Sequence, residues 1–258
     1  MGSSSIRFSA IGAVLALGAI CLSGCSTGPV AADPDPAATQ GTSASAAPSA
    51  SPSPSAAAQG CPANDAQVPG DAIIGQIGDV DGDGQPDQQF YVEAGGFAYG
   101  IHTASGATIT LQDDLAGPGS HRGWSVRTGQ NQVVTVLDDG RSATLHGFVD
   151  CAFTTPIGAD GQPYSFSLAG FGDIGTGVAC GPADATGFRQ IFGIEARVQS
   201  DGRYKITSTE VEVSADGSSA TNGATTTDPS SYAVDDPRVT TAMTAVCDGV
   251  EAVHTSGK

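Results

Sequence analysis

The chain has 258 residues, of which 14% are charged, and its formal net charge at pH 7 is −17. This acidity argues against nucleic acid as a partner, because binding to phosphates requires clustered Lys and Arg side chains. The same negative field repels anionic lipid headgroups, so it also argues against a membrane interaction through a basic patch.

The chain begins with the pattern of an export signal. Residues 1–7 carry one basic side chain, Arg7, and residues 8–20 form an apolar run of small and aliphatic side chains. The run is too short to span a membrane comfortably as a mature helix, and its position after a basic residue is typical of a signal that is removed.

The apolar run is followed by Leu22-Ser23-Gly24-Cys25, which resembles the lipobox of bacterial lipoproteins. The resemblance implies a lipoprotein signal peptide over residues 1–24 and a lipid on Cys25. More than one acyl chain on this cysteine would anchor the protein stably at the extracellular face of the plasma membrane. An ordinary secretory signal, which would release a soluble protein, is the alternative.

Residues 26–60 consist almost entirely of Ser, Ala, Pro, Thr and Gly, a composition that cannot bury a core. We therefore predict that Cys25 and a disordered linker occupy residues 25–60, with an end-to-end distance on the order of 30 Å. A single β-rich domain is expected over residues 61–250, and a flexible tail over residues 251–258.

The expected domain contains strand-like runs with Gly-containing turns between them, and one short helix is expected within residues 235–246. The predicted strands are residues 89–93, 97–103, 107–111, 132–137, 143–149, 164–169, 190–198 and 203–213. Three short segments, at residues 105–111, 139–145 and 216–221, have weakly similar sequences at uneven spacing. This pattern favours degenerate β-propeller-like blades or stacked meanders. The predicted fold class is therefore all-β, built from antiparallel hairpins.

Four cysteines remain in the expected domain once Cys25 and the signal sequence are set aside: Cys61, Cys151, Cys180 and Cys247. An even number in an exported domain indicates two disulfides, and three connectivities are possible. The pairing of Cys151 with Cys180 and of Cys61 with Cys247 is favoured, because the second bond would close the ends of the domain. The spacing lacks the paired CxxC units of a zinc site.

The segment 78–87, with sequence GDVDGDGQPD, has the form of a calcium loop. Acids at alternating positions can direct their carboxylates at one centre, and Gly84 permits the sharp turn that follows them. The candidate metal ligands are Asp79, Asp81, Asp83, Gln85 through its carbonyl, and Asp87. Position 12 is Phe90 where an EF-hand has Glu, so this is not an EF-hand. The alternative is an acidic surface turn without an ion.

The same loop, placed before a hydrophobic strand, resembles the FG-GAP and VCBS-type repeats of integrin-like β-propellers and of secreted bacterial proteins. The resemblance implies ligand roles for the five candidate residues and a structural calcium ion. A second, degenerate copy is suggested at residues 177–187, where Asp184 is the only acid. We expect that copy to be metal-free.

Two classes of function remain open. The first is a binding or interaction module that is displayed to contact a cell-wall polymer, a protein or a secreted ligand. The second is a hydrolase of cell-wall or extracellular substrates that uses convergent carboxylates, for which the candidates are Asp113, Asp114, Asp138 and Asp139. The binding module is favoured, because no combination of nucleophile, base and orienting residue is evident.

The four histidines show no metal-ligand spacing, and we expect His102 and His146 to be surface or half-buried strand residues. The segment 120–122, which contains His121, is the first candidate for a binding patch. The alternative there is a solvated turn with Trp124 packed in the core.

Overall fold

The computed structural model describes residues 60–117, 119–130, 132–171 and 173–255. Residues 1–59, which include the lipobox, Cys25 and most of the predicted linker, lie outside the described residues. The elements in chain order are β1 (Ile73–Gln76), β2 (Gln88–Val92), β3 (Ala98–His102), β4 (Thr108–Gln112), β5 (Arg122–Gly129), β6 (Gln132–Asp138), β7 (Ser142–Val149), β8 (Ala152–Thr154), β9 (Ser165–Ser167), β10 (Ala169–Phe171), β11 (Ile174–Cys180), β12 (Ile191–Val198), β13 (Tyr204–Val213), β14 (Ala220–Thr227), α1 (Pro237–Thr241), β15 (Ala245–Val246) and β16 (Val253–His254).

These strands form three sheets. Sheet A has the order β1-β2-β3-β4, and sheet B has the order β16-β5-β6-β7-β8, with β9 also paired to β7. Sheet C has the order β10-β11-β12-β13-β14. All strand pairings are antiparallel except that of β15, which runs parallel to β11. The prediction of an all-β domain of antiparallel strands is confirmed, and its sheets are meanders that do not close into a propeller.

Strand β6 shows why sheet B is the middle layer. Successive side chains of a strand point to opposite faces. Val134 and Val136 belong to the core cluster shared with sheet C, whereas Val133 and Leu137 belong to the cluster shared with sheet A. All four side chains are essentially inaccessible to solvent, and each contributes about 1.5–3 kcal/mol of hydrophobic stabilisation. The nearly continuous apolar sequence of β6 therefore reflects burial on both faces.

The short helix α1 covers part of the outer face of sheet C. Asp236 caps it by accepting a hydrogen bond from the backbone N–H of Arg238 at 3.0 Å. Val239, the buried residue of the helix, packs in a cluster with Ala196 and Tyr232. The helix lies within the predicted range 235–246 but has only five residues. No helix in the described part of the chain has the length and apolar character needed to cross a membrane.

Several strands lie where none was predicted: β1, β5, β8, β11, β14, β15 and β16. Strand β5 begins at Arg122, within the segment 120–122 for which a binding patch or a solvated turn was expected, and β11 overlaps the start of the supposed degenerate repeat at residues 177–187. The predicted strand 164–169 is divided into β9 and β10, with Leu168 between them in the core.

The prediction of a flexible tail from residue 251 is wrong for residues 251–255. Val253 and His254 pair with Gly123 and Arg122 of β5, and Val253 is buried. Thr255 continues this pairing, because its backbone N–H donates to the carbonyl oxygen of His121 at 2.9 Å. The end of the described chain is thus a strand of sheet B.

The two expected disulfides are present, but the favoured pairing is wrong. The bonds join Cys61 to Cys151 and Cys180 to Cys247. The physical reason for the second bond is the parallel pairing of β15 with β11. Val178 lies opposite Ala245 and Ala179 opposite Val246, so the next residue of each strand is a cysteine beside its partner.

We predict that digestion under non-reducing conditions, followed by mass spectrometry, yields peptides that link Cys61 to Cys151 and Cys180 to Cys247. A linked peptide containing Cys61 and Cys247 would contradict this topology. The double variant Cys180→Ala/Cys247→Ala should lose on the order of 4 kcal/mol of unfolding free energy, because the bond closes a loop with a sequence separation of 67 residues.

Candidate metal centre

The candidate metal loop connects β1 to β2 and lies against two other segments. The backbone N–H of Ile77 donates to the carbonyl oxygen of Asp87 at 2.9 Å, which closes the base of the loop. Contacts from Asp81 and Asp87 join the loop to Cys61 and to the turn between β3 and β4, described below. Three parts of the chain therefore meet at this loop.

Three carboxylates of the loop converge. Asp79, Asp81 and Asp87 each offer one oxygen, and these three oxygens all lie within 4.8 Å of one another. Asp79 and Asp81 are half-buried, whereas Asp87 is only 1% exposed. These carboxylates could together hold a metal ion, since hard divalent cations bind such oxygen ligands.

Asp79 shapes the loop because its carboxylate accepts hydrogen bonds from the backbone of the loop. Its Oδ1 accepts a hydrogen bond from Gly82 N at 2.6 Å and its Oδ2 accepts one from Gly84 N at 3.0 Å. Gly82 and Gly84 have φ angles of 81° and 87°, in the left-handed region that favours glycine. The Asp-x-x-Gly-x-Gly spacing thus allows the chain to fold around the Asp79 carboxylate.

Asp81 links the loop to the start of the described domain. Its Oδ2 accepts hydrogen bonds from Cys61 N and from Ser105 Oγ, both at 2.8 Å. A Cβ atom at Gly60 would lie 2.4 Å from the same oxygen, so this contact requires glycine at that position. Asp81 therefore fixes the backbone beside the Cys61–Cys151 disulfide.

Asp87 is the buried member of the cluster. Its Oδ2 accepts from Val80 N and its Oδ1 from Ala104 N, both at 2.7 Å. Burial raises the pKa of this carboxyl and outweighs the two backbone hydrogen bonds, which lower it; the negative charges of Asp81 and Asp83 raise it further. A cation at the centre of the three carboxylates would relieve both the desolvation and the repulsion.

One of the four predicted acidic ligands, Asp83, is not part of this cluster. The Asp83 side chain is half-buried, and its Oδ1 accepts a hydrogen bond from Gln85 N at 2.7 Å instead. The structure thus brings together Asp79, Asp81 and Asp87, while Asp83 lies near enough for its charge to act on Asp87.

The supposed second copy of the loop has a different organisation. Its first residues, Gly177 to Cys180, belong to β11. Asp184 accepts hydrogen bonds from the backbone N–H groups of Thr186 and Phe188 and from the hydroxyl of Thr186. The hydrogen bond from the Thr186 hydroxyl is the main cause of a lowered pKa for this exposed carboxyl. A local turn, without a second acid, satisfies Asp184.

Three of the four acids proposed for a hydrolase are buried, and Asp114 is exposed. Asp138 is ion-paired to Arg122 at 3.0 Å, and burial raises the pKa of its carboxyl. Asp139 accepts backbone hydrogen bonds from Arg141 and Ser142 in the turn between β6 and β7. These contacts are those of structural turn and strand residues.

Asp113 and His121 form a buried pair that sequence reasoning did not find. His121 Nδ1 lies 2.6 Å from Asp113 Oδ2, and the two side chains are 0% and 1% exposed. Tyr91 donates its hydroxyl hydrogen to the same carboxylate oxygen, and the ring of Phe97 stacks on the imidazole with a centroid distance of 3.8 Å. The predicted solvated turn is therefore wrong for His121, whereas Trp124 is buried in the core as that alternative expected.

Both ring nitrogens of His121 face hydrogen-bond acceptors, since Nε2 lies 3.1 Å from the carbonyl oxygen of Gly117. This geometry favours the doubly protonated ring. Burial opposes that charge, but the hydrogen bonds to Asp113 and Gly117 and the charges of Asp113 and Asp139 together raise the pKa of His121.

The remaining histidines lie elsewhere. His102 is half-buried, as predicted, with Nδ1 2.8 Å from Thr108 Oγ1. His146 is buried, although a surface or half-buried position was expected, and burial lowers its pKa to about 4. His254 is exposed on β16.

We predict that His121→Asn destabilises the domain most at low pH. A raised folded-state pKa gives stabilisation that is complete below the unfolded value of about 6.5 and is lost as pH rises through the folded value. The difference in melting temperature between wild type and His121→Asn should therefore shrink from pH 6 to alkaline pH. His254→Gln is the matched control and should follow wild type; a difference that is independent of pH would contradict a charged His121.

In comparisons with known proteins, no family model matches the chain, and no curated protein or solved structure is significantly similar to it. The resemblance to FG-GAP and VCBS-type repeats therefore depends on the residues of the loop between β1 and β2.

Proposed function

We propose that this protein is a lipid-anchored extracellular binding module whose β-domain is stabilised by one calcium ion. The observation that carries the proposal is the convergence of Asp79, Asp81 and Asp87 within 4.8 Å at the meeting point of three chain segments. An ion at this point would stabilise the contacts that the loop makes with Cys61 and with the turn between β3 and β4.

Calcium suits this site better than zinc or magnesium. The convergent ligands are all carboxylate oxygens, whereas zinc prefers His and Cys. Calcium accepts six to eight oxygens in a flexible shell, whereas magnesium requires near-ideal octahedral geometry. In our proposal the carboxylate of Asp83 and the carbonyl oxygen of Gln85 join the three carboxylates, and water completes the shell.

The lipobox-like sequence before Cys25 and the disulfides support the proposed location of the protein. Two disulfides fit an oxidising environment outside the cytoplasm. The lipid on Cys25 would hold the chain at the outer face of the plasma membrane, and the Ser-, Ala- and Pro-rich linker would separate the domain from that membrane. This arrangement suits a domain that contacts cell-wall polymer or a surface protein.

A binding role is favoured over hydrolysis by the burial of the polar clusters. Asp113 and His121, a carboxylate and an imidazole in hydrogen-bond contact, are enclosed beneath Phe97, with Tyr91 on the same carboxylate. A substrate would have to displace this packing before it could reach the carboxylate or the imidazole. The open clefts beside Tyr164, which carry both polar and apolar side chains, lie elsewhere and suit recognition.

We predict that calcium raises the melting temperature of the full chain by roughly 5–10 °C when its concentration is about 100 times the dissociation constant. Binding then adds about 2.7 kcal/mol, and each kcal/mol shifts the melting temperature of a domain of 150–250 residues by about 2–4 °C. Calorimetric scans in chelator and in excess calcium measure this shift.

Asp87→Asn should abolish the calcium-dependent shift, because it removes the buried charge at nearly constant shape. Asp184→Asn is the matched control, since Asp184 also accepts backbone hydrogen bonds in a tight turn but lies outside the cluster. The shift should be retained in this control. Identical wild-type melting curves in chelator and in calcium would refute the proposal.

A further inference from the structure

Sheet C has one face that is only partly covered. Val178, Ile191 and Val211 project from this face into the core shared with sheet B. Alternation along the strands places Thr176, Gly193, Glu195, Thr207 and Thr209 on the same face. These residues lie beyond the core cluster, and they are only partly buried. The covered apolar half of the face thus continues into an accessible half that carries hydroxyl and carboxylate groups.

Two aromatic side chains form a wall at the boundary between the covered and the accessible half of this face of sheet C. Tyr164 and Phe166 pack edge to face with a centroid distance of 5.4 Å, and both are partly buried against the core. Phe166 stands over Gly193, since a Cβ atom on Gly193 would lie 3.5 Å from its ring. The hydroxyl of Tyr164 donates to Asn222 Oδ1, which joins the wall to β14.

Two clefts adjoin this wall. The first has a volume of about 300 Å³ and is lined by Phe166, Thr176, Gly193 and Thr209, among others. The second has a volume of about 540 Å³ and extends past Asp160 and Thr221. Tyr164 and Asn222 line both clefts, which are therefore neighbours, and we call the two clefts together the Tyr164 groove.

We propose that the Tyr164 groove binds an extended glycan of uncharged sugars. Sugar rings present apolar C–H faces that pack on aromatic side chains, and they present hydroxyl groups around the edge that bond to hydroxyl, amide and carboxylate groups. The groove offers this combination through the Tyr164 and Phe166 rings, the Thr176 and Thr209 hydroxyls and the Asn222 amide. Its open form suits a polymer that enters and leaves along the groove.

The charges of the groove select the class of glycan. None of the residues that line the two described clefts is basic, and the chain as a whole carries a net charge of −17. An anionic polymer would meet no basic residue in the lining, and the negative net charge of the chain would repel it. Of the two acids that line the groove, Glu195 is paired with Arg197 at 3.0 Å, and Asp160 accepts a hydrogen bond from Gln162 N at 3.0 Å.

This inference rests on the proposed role as a surface binding module and assigns that role a site and a ligand class. The test is isothermal titration calorimetry of the full chain with chitohexaose, cellohexaose and maltohexaose, and with polygalacturonate as the anionic comparison. We expect saturable binding of at least one neutral oligosaccharide and none of polygalacturonate. Binding of no neutral oligosaccharide, or of polygalacturonate alone, overturns the inference.

Gly193→Leu locates the site, because its side chain would extend into the groove beside Phe166. This variant should weaken binding at least about tenfold. Gly70→Leu is the matched control, since Gly70 is exposed with no atom near its Cβ position, and it should bind like wild type. Unchanged affinity in a folded Gly193→Leu overturns the inference.

If Gly193→Leu does not fold, Thr209→Val tests the same part of the groove, because Thr209 also lines the first cleft and valine has nearly the same shape as threonine. Thr226→Val, on the opposite face of sheet C, is its control. Thr209→Val should bind more weakly and Thr226→Val should not, and equal affinities would overturn the inference. The calcium-dependent shift in melting temperature should be the same in all these variants, so failure of the groove is distinguishable from failure of the calcium proposal.

Discussion

Repulsion among three carboxylates is the constraint around which one end of this domain is organised. Two unit charges at 4.8 Å repel each other by on the order of 3 kcal/mol at an effective dielectric constant of 20. Asp79, Asp81 and Asp87 are nevertheless held together by backbone N–H groups from their own loop, from Cys61 and from Ala104. Because these donors come from three segments, whatever neutralises the carboxylates also stabilises the meeting of those segments.

Sheet B, the middle layer, connects the acidic loop to the rest of the domain. Sheet B packs through Val133 and Leu137 on sheet A, which carries the acidic loop, and through Val134 and Val136 on sheet C. The disulfide from Cys61 to Cys151 joins the loop region to the turn after β7 of sheet B. The Tyr164 groove opens beside β9, on the polar half of sheet C. The proposed metal site and the accessible groove thus belong to one stack of sheets.

The sequence predicted those strands whose apolar pattern is strong. Strands β2, β3, β4, β6, β7, β12 and β13 lie within one or two residues of their predicted bounds, because buried Val, Ile, Leu, Tyr and Phe side chains alternate between turns. Strands β11 and β14 were missed because IGTGVAC and ATNGATTT are rich in Gly and Thr and lack that pattern. Their conformation depends on pairing with β12 and β13, which a local pattern does not contain.

The candidate site was predictable to the extent that it is local. Three of the four proposed carboxylate ligands converge, because the loop turns at Gly82 and Gly84 bring Asp79, Asp81 and Asp87 around one point. The contacts from Cys61, Ala104 and Ser105 come from distant parts of the chain, so the spacing of the acids could not indicate them. The disulfide pairing and the burial of His121 depend in the same way on which strands become neighbours.

A crystal structure of the full chain grown in calcium would show directly whether the loop between β1 and β2 holds an ion. We expect one ion among Asp79, Asp81 and Asp87, visible by its anomalous signal, with six to eight oxygen ligands at about 2.3–2.6 Å. Water or a side-chain amine in that position, with the three carboxylates turned apart, would contradict it.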